Sequence, residues 1–434
     1  MANTYLKRTL SGTPSTYTFS AWIKLGNLVT ATNTYQSIFS NGTQQILGIY
    51  GGGNSAGWNA LYHYNGSSTW YSTELLRDPC CWYHVLVKVS SGTGTTYING
   101  NQVTYGTTYS FINLVSTADK TTIGCYANNI DSFFTGSMSH VHFCDGTAYN
   151  PTEFGETDAT TGEWKIKTSP NVNYGTDGFF ILKDGNSVTD QSGNSNNFTV
   201  GGGTLTKTED NPSNVFCTLN PLVYTPNPPT FSNGNTKFVK STTGIGHGSD
   251  TIGTLGAKSG KYYFEMKTVT STSFYVGIIG NNHNNANSNG DIGGSNIHTV
   301  NPDNTYGDNV NNNGTTTSIT LSYSANDIFG LAFDLDNGKW YFHINGTYFN
   351  SGDPTSGSTG TGSMGNITTG ELFYLPFAGG GSYNHQHTFE FNFGNGYFGS
   401  TQISSAGTNA SGIGIFEYDV PTGYTALSTK GLNL

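Results

Sequence analysis

Apolar and polar residues alternate along most of this chain with a period of two, the repeat of a strand that buries one face. Tyr17, Phe19, Ala21 and Ile23 alternate with Thr18, Ser20, Trp22 and Lys24, which predicts one apolar face and one mixed face. In the run Trp82–Val89, Tyr83, Val85, Val87 and Val89 share the inward face and His84 lies opposite. No window holds a helical period. Two corners stand out, Ile98-Asn99-Gly100 and Ile344-Asn345-Gly346, each preceded by a strand, a turn and a second strand. An Asn-Gly step supplies the positive φ angles of a tight hairpin, so each half of the chain is predicted to carry a sandwich.

The remaining elements follow the same logic. Ile123, Phe133-Phe134, Gly136, Met138, Val141 and Phe143 predict a closing strand pair in the first half. In the second half, strands are expected at Gly260–Lys267, Phe274–Gly280, Asp327–Asp336, Leu372–Phe377 and Phe389–Gly394. Between the halves, Phe179–Leu182 and Asn197–Val200 read as short strands, and Asn220-Pro221 through Pro228-Pro229 cannot sit in a central strand because proline lacks the amide donor. The predicted fold class is therefore all-β: two jelly-roll sandwiches, residues 1–160 and 236–400, joined by a Pro/Asn-rich connector over 161–235 and followed by an extended tail over 401–434.

Phe19, Ala21, Trp22 and Lys24, then Trp82-Tyr83-His84-Val85, then Tyr97, Asn99 and Gly100, then Phe134, Gly136, Met138 and Val141, ending at Asn150, Pro151, Glu153 and Phe154, follow one another in a specific order. That order resembles laminin-G-like members of the concanavalin A-like lectin/glucanase superfamily. Gly260–Lys267, Val276-Gly277-Ile278, the hairpin Asp334–Gly346 and Asn392-Phe393-Gly394 resemble a SPRY-type sandwich, interrupted by an Asn/Gly-rich insertion from Asn281 to Gly314. The start Met1–Arg8 and the ending Phe416–Leu427 look like those of virion proteins of marine tailed phages. This resemblance implies a virion or extracellular location after assembly in a host cytoplasm.

Composition agrees with a turn-rich β-protein. Of 434 residues only 10% are charged, less than half the usual share of about 25%. Aromatics reach 14%, with 27 Tyr and 26 Phe, and there are 59 Gly. A formal charge of −10 and scattered basic residues argue against a nucleic-acid partner, which needs clustered Lys and Arg. No run of 18 apolar residues is present, so membrane insertion is not expected, and the N-terminal residues lack the apolar core of a secretory signal. Five cysteines, with Cys80 and Cys81 adjacent and Cys125, Cys144 and Cys217 far apart, read as free and mostly buried thiols.

Glucanases need two carboxylates about 5–5.5 Å apart, and no paired spacing of that kind occurs; Glu265, Glu371 and Glu390 stand alone. A non-enzyme is expected. No cofactor is expected either. Asp334 and Asp336 fit turn chemistry, and they, like Asp119, Asp131 and Asp145, fall short of the six to eight oxygens that calcium wants. Sugar rings stack on aromatics while Asn and backbone groups fix the hydroxyls. Trp58, Tyr62, Tyr64, Trp70 and Tyr71, crowded between Gly and Asn, are the candidate carbohydrate-binding residues; the competing reading is that they are sheet and core. In the second half His283, Tyr306, Tyr383, His385 and His387 are the candidates for partner-binding loops, and two histidines are too few to claim a metal. The expected function is a phage fibre, spike or capsid appendage that recognises a cell-surface glycan, with other virion subunits or copies of itself as partners. The alternative is a purely architectural subunit.

Overall fold

The structure, a computed structural model, describes residues 3–26, 28, 31–52, 58–183, 187–223, 228–240, 249–270, 273–282, 295–303, 307–370, 372–380 and 386–433. The described chain is all-β apart from short 3-10 turns. It divides into two compact units: residues 1–207 with 211–213, and residues 208–210 with 214–434.

The first unit opens with β1 (Tyr5–Arg8), β2 (Tyr17–Leu25), β3 (Tyr35–Asn41), β4 (Gln44–Tyr50), β5 (Ala60–Tyr64) and β6 (Thr69–Leu75). It continues with β7 (Trp82–Ser90), β8 (Thr93–Ile98), β9 (Asn101–Gln102), β10 (Thr121–Ile123) and β11 (Gly136–Asp145). The last strands are β12 (Gly155–Thr157), β13 (Trp164–Ile166), β14 (Phe179–Ile181) and β15 (Thr199–Gly202). A seven-stranded sheet, β15-β1-β10-β3-β4-β5-β6, faces a six-stranded sheet, β14-β11-β2-β7-β8-β9. Phe19, Phe39, Val85, Val87 and Phe143 fill the space between them. The rings of Phe19 and Phe39, one from each sheet, stack at 4.4 Å.

Two sequence expectations change here. β2 is buried at every position, not on one face only. Residues 149–174 lie over the outside of its sheet, bringing Phe154 onto Leu86 and Cys144 and stacking Trp164 on His84 at 5.9 Å. The stretch from 161 to about 207 is therefore part of the first sandwich and not a connector: β14 pairs with β11 and β15 with β1.

The second unit contains β16 (Thr230–Ser232), β17 (Lys237–Lys240), β18 (Asp250–Ile252), β19 (Lys261–Thr268) and β20 (Phe274–Gly280). Then come β21 (Ile297–Asn301), β22 (Asn309–Asn312), β23 (Thr315–Ser318), β24 (Ile328–Asp334) and β25 (Lys339–Ile344). It continues with β26 (Thr347–Tyr348), β27 (Gly365–Asn366), β28 (Tyr374–Gly380) and β29 (His387–Asn392), and three two-residue strands follow, Tyr397–Phe398, Thr401–Gln402 and Thr425–Ala426. One sheet runs β16-β17-β29-β19-β24-β25-β26 and the other β18-β28-β20-β21-β22-β23. Phe264, Phe274, Phe329, Trp340 and Phe389 form the core.

The C-terminal residues are not an extended tail. Thr425–Ala426 pairs in parallel with β19, and Phe416, Val420 and Tyr424 pack on Tyr263, Ala332 and Tyr341. They strap the outer face of the larger sheet. Both Asn-Gly corners adopt the left-handed backbone they predict, at φ 48° and 79° for Asn99 and Gly100 and 49° and 84° for Asn345 and Gly346. At Gly346 a Cβ would sit 2.8 Å from the Tyr418 ring, so glycine also admits the strap. All five cysteines are free, with Cys125, Cys144 and Cys217 buried and Cys80 and Cys81 partly exposed.

Candidate functional site

The hairpins β3-β4 and β5-β6 place tyrosines on the outer face of the seven-stranded sheet. Tyr35 lies opposite Tyr50, and Tyr62 opposite Tyr71; residues directly opposite in an antiparallel pair share a face. The ring centroids are 5.1 Å apart for Tyr35 and Tyr50, 5.0 Å for Tyr35 and Tyr62, and 4.5 Å for Tyr50 and Tyr71. Such spacings are within the favourable range for aromatic pairs. Ile38, Ile46, Ile49 and Leu61 of the same strands point the other way, into the core.

The hydroxyl groups fix this cluster. Tyr50 donates to Asn33 Oδ1 at 3.1 Å, Tyr62 donates to Gln45 Oε1, and the hydroxyls of Tyr35 and Tyr71 meet at 3.3 Å. Tyr50 and Tyr62 are fully buried and form the floor; Tyr35 and Tyr71 are half-buried above them. Tyr62 needs a bare neighbour, since a Cβ at Gly48 would lie 2.2 Å from its ring. Burial raises the Tyr62 hydroxyl well above the ordinary range, and nearby Tyr35 and the Asp131 carboxylate add to this.

A loop forms the rim. Ser37 N–H donates to Ser132 O at 2.7 Å, tying residues 126–133 to β3. Tyr126 N–H donates to Asp131 O, and Ile130 N–H to Tyr126 O, both at 2.9 Å. Tyr64 packs edge-on to Tyr126 at 6.5 Å and donates to Gly66 O at 2.8 Å.

Of the five carbohydrate candidates, the structure brings Tyr62, Tyr64 and Tyr71 to one face and sends Trp70 to the other. Trp70 lies opposite His63, both directed inward, and packs on Tyr109 and the core. Trp58 is 40% exposed at the end of the β4-β5 hairpin, its ring against Gly52. Two corrections follow. Tyr62 is buried under its neighbours and cannot touch a ligand directly, and Trp70 is displaced because period two places it one residue out of step with Tyr71. Strand alternation across Tyr62-His63-Tyr64 and Trp70-Tyr71 could have revealed both faces; the partnership with Tyr35, Tyr50, Tyr126 and Asp131 depends on strand pairing and was missed.

His63 shows why the inner face is not a site. Its Nδ1–H donates to Ile46 O at 2.5 Å, and its Nε2 accepts from Tyr105 and Thr96 hydroxyls at 2.7 and 2.8 Å. Burial holds it neutral, with a pKa lowered to about 3. His84 is likewise pushed to about 3 by burial; its Nδ1 accepts from Trp164 Nε1–H at 3.1 Å and its Nε2 meets Ser20 Oγ at 2.8 Å.

In the second unit His283, Tyr306, Tyr383 and His385 lie outside the described residues. His387 is corrected: it opens β29, is fully buried and stacks on Phe389 at 5.8 Å, because strand pairing begins at His387, opposite Lys240, two residues before the expected strand. Sequence reasoning also missed Glu265. Its carboxylate, fully buried, accepts from Glu417 N–H and Tyr418 N–H at 2.9 and 2.8 Å, from Asn392 Nδ2 at 3.0 Å and from the Tyr263 hydroxyl at 3.0 Å. It holds the strap. Burial raises its pKa to about 7 against those donors.

The aspartates weighed for calcium are dispersed or engaged. Asp119 pairs with Lys7 at 2.7 Å, Asp145 Oδ2 accepts from Asp177 N–H at 3.2 Å, and Asp334 accepts from Asp336 N–H and Asn337 N–H of its own turn at 3.0 and 2.9 Å. Among the described residues no group of three His, Cys, Asp or Glu side chains is set to hold a metal.

No curated protein matches this chain. Among solved structures, the SPRY domain of human HERC1 is 14% identical over 38% of this chain and 91% of that one, with a TM-score of 0.27. The TRIM65 PSpry domain is 13% identical over 41% and 91%, with a TM-score of 0.29. A candidate carbohydrate-binding protein from Bacteroides ovatus is 20% identical over 46% and 57%, with a TM-score of 0.33. Residues 2–153, the stretch that carries the tyrosine face, match the family profile of the concanavalin A-like lectin/glucanases superfamily.

Proposed function

We propose that this protein is a non-enzymatic glycan-binding protein that uses the tyrosine face of its first sandwich. The carrying observation is the cluster itself: two half-buried tyrosines, Tyr35 and Tyr71, mounted on two buried ones and bordered by the Asp131 rim. Sugar rings present C–H faces that stack on such rings, while hydroxyls and a carboxylate at the edge direct their O–H groups. The lectin-type family match over the same residues supports this reading. The acids also favour binding over hydrolysis, since Asp131 is the carboxylate that acts on Tyr62 and Glu265, in the other unit, is saturated by four donors.

The wider role we propose is adhesion or structure in a tailed-phage virion, as a fibre, spike or capsid appendage, on the strength of the likeness of the segments Met1–Arg8 and Phe416–Leu427 to such proteins. The architectural alternative would be favoured by an open strand edge near Val420. That residue packs within its own unit, so no specific observation favours the alternative.

A glycan array probed with the full chain tests the binding role. Retention on at least one glycan, lost in Tyr71→Ala with strand content intact by circular dichroism, is the expected result. No binding by the unaltered protein at high concentration removes the reading. Mass spectrometry of purified phage particles tests the virion role, and absence of the protein from them removes it.

A further inference from the structure

The tyrosine face is built from an uncharged stretch of sequence. No Asp, Glu, Lys or Arg occurs between Lys24 and Glu74, the interval that supplies all of β3, β4 and β5 and most of β6. The rim adds an exposed carboxylate, Asp131, whose Oδ1 accepts from the Ser132 hydroxyl at 2.9 Å. A lysine that reaches this loop is turned to another task. Lys120 Nζ donates to Ala127 O and Asn128 O at 2.8 and 3.0 Å, so its charge is held against the backbone of the loop.

The backbone on either side of Asp131 is strained. Ile130 has φ 54° and Ser132 φ 52°, both left-handed. That region is uncommon for any residue with a Cβ and an outlier for a β-branched one, and it costs on the order of 1–3 kcal/mol where it persists. Ile130 is 37% exposed, so core packing does not explain the conformation. Its effect is to hold Asp131 at the rim, close enough to Tyr62 and Tyr126 for its charge to raise the pKa of both.

We infer that this face selects neutral glycans over anionic ones, with Asp131 the residue that determines the choice. A fixed carboxylate accepts two hydroxyl hydrogens from an uncharged sugar, and it repels a uronate or a sulfate, for which strands β3 to β5 carry no Lys or Arg. This inference rests on the reading of the tyrosine face as a sugar site.

Affinity electrophoresis of the full chain in gels containing matched polymers tests it: dextran against dextran sulfate, and hydroxyethylcellulose against carboxymethylcellulose. The unaltered protein is expected to be retarded by a neutral polymer and not by its charged counterpart. Asp131→Asn should weaken the neutral interaction about tenfold, the equivalent of about 1.4 kcal/mol. Asp131→Lys should lose the neutral interaction and gain retardation by the sulfated or carboxymethylated polymer, with circular dichroism unchanged. Stronger retardation of the unaltered protein by the anionic members, or an Asp131→Asn variant that binds as before, overturns the selectivity alone. Retardation by none of the four polymers, together with a blank glycan array, overturns the sugar site and this inference with it.

Discussion

The two sandwiches treat the outer faces of their sheets in opposite ways. In the first, residues 149–174 roof the six-stranded sheet, while the seven-stranded sheet keeps a face on which Tyr35 and Tyr71 remain half-exposed. In the second, the strap 416–427 closes the larger sheet and a buried carboxylate fastens it. The polar groups under the two covers differ as well: neutral histidines in the first, a glutamate beside the neutral His343 in the second. Among the described residues, the half-exposed aromatic face thus lies in the first sandwich, where the candidate site is proposed.

Acid should separate the two units most strongly. In the first, His63 and His84 are held at about 3 by burial and His142 is also well below its ordinary value. Unfolded, each takes up a proton near 6.5, so the unfolded state binds more protons below that pH and stability falls as pH drops from about 6.5 toward 4. In the second, His298 and His343, at about 4, act in the same direction. Against them Glu265 and Asp250, raised to about 7 by burial, keep protons in the folded state that the unfolded chain releases, which adds stability as pH falls from about 7 to their ordinary values of 4.5 and 3.8. Hydrogen exchange at pH 5 against pH 7, corrected for intrinsic rates, should show lost protection in β2, β7 and β11 and little change in β19 and β24. Equal loss in both units would break the comparison.

Removing the fastening of the strap should come next in size. Glu265→Ala leaves two backbone N–H groups, Asn392 and Tyr263 without their acceptor, and should cost about 4 kcal/mol, with residues 404–433 becoming sensitive to protease while the first unit keeps its exchange protection. The matching change in the first unit is Trp164→Ala, which strips the ring from His84 and from the backbone at Gly100 and Gly155. A cost of about 3 kcal/mol is expected, read as faster exchange in β2 and β7 alone. The smallest effect should be a gain. Ile130→Asn places a residue that tolerates left-handed backbone at φ 54° and should stabilise the first unit by about 1 kcal/mol, measured by urea denaturation. No gain would mean that the loop carries no such strain.

Much of the architecture could be read from local pattern. The Asn99-Gly100 and Asn345-Gly346 corners, the alternation of Val85, Val87 and Val89, and the self-capping Asp334 turn depend on residues only a few positions apart, so their sequence states their geometry. The site was legible only in part. Tyr62, Tyr64 and Tyr71 were close in sequence and were seen, but which of them is floor and which is surface depends on Tyr35 and Tyr50 from another hairpin. Trp70 was misplaced because a step of one residue along a strand reverses the side a residue faces, and His387 because the start of β29 is set by pairing with Lys240 of a distant strand.

The sequence by itself determined that strands would form and where the Asn-Gly hairpins would turn. Tertiary structure decided which sheet faces would be covered. Residues 149–174 and 416–427 carry no local mark of being covers, because a cover is defined by what lies beneath it: His84 and Leu86 in one case, Glu265 and Tyr263 in the other. Burial is a property of contacts between distant segments, and only the folded chain brings those segments together.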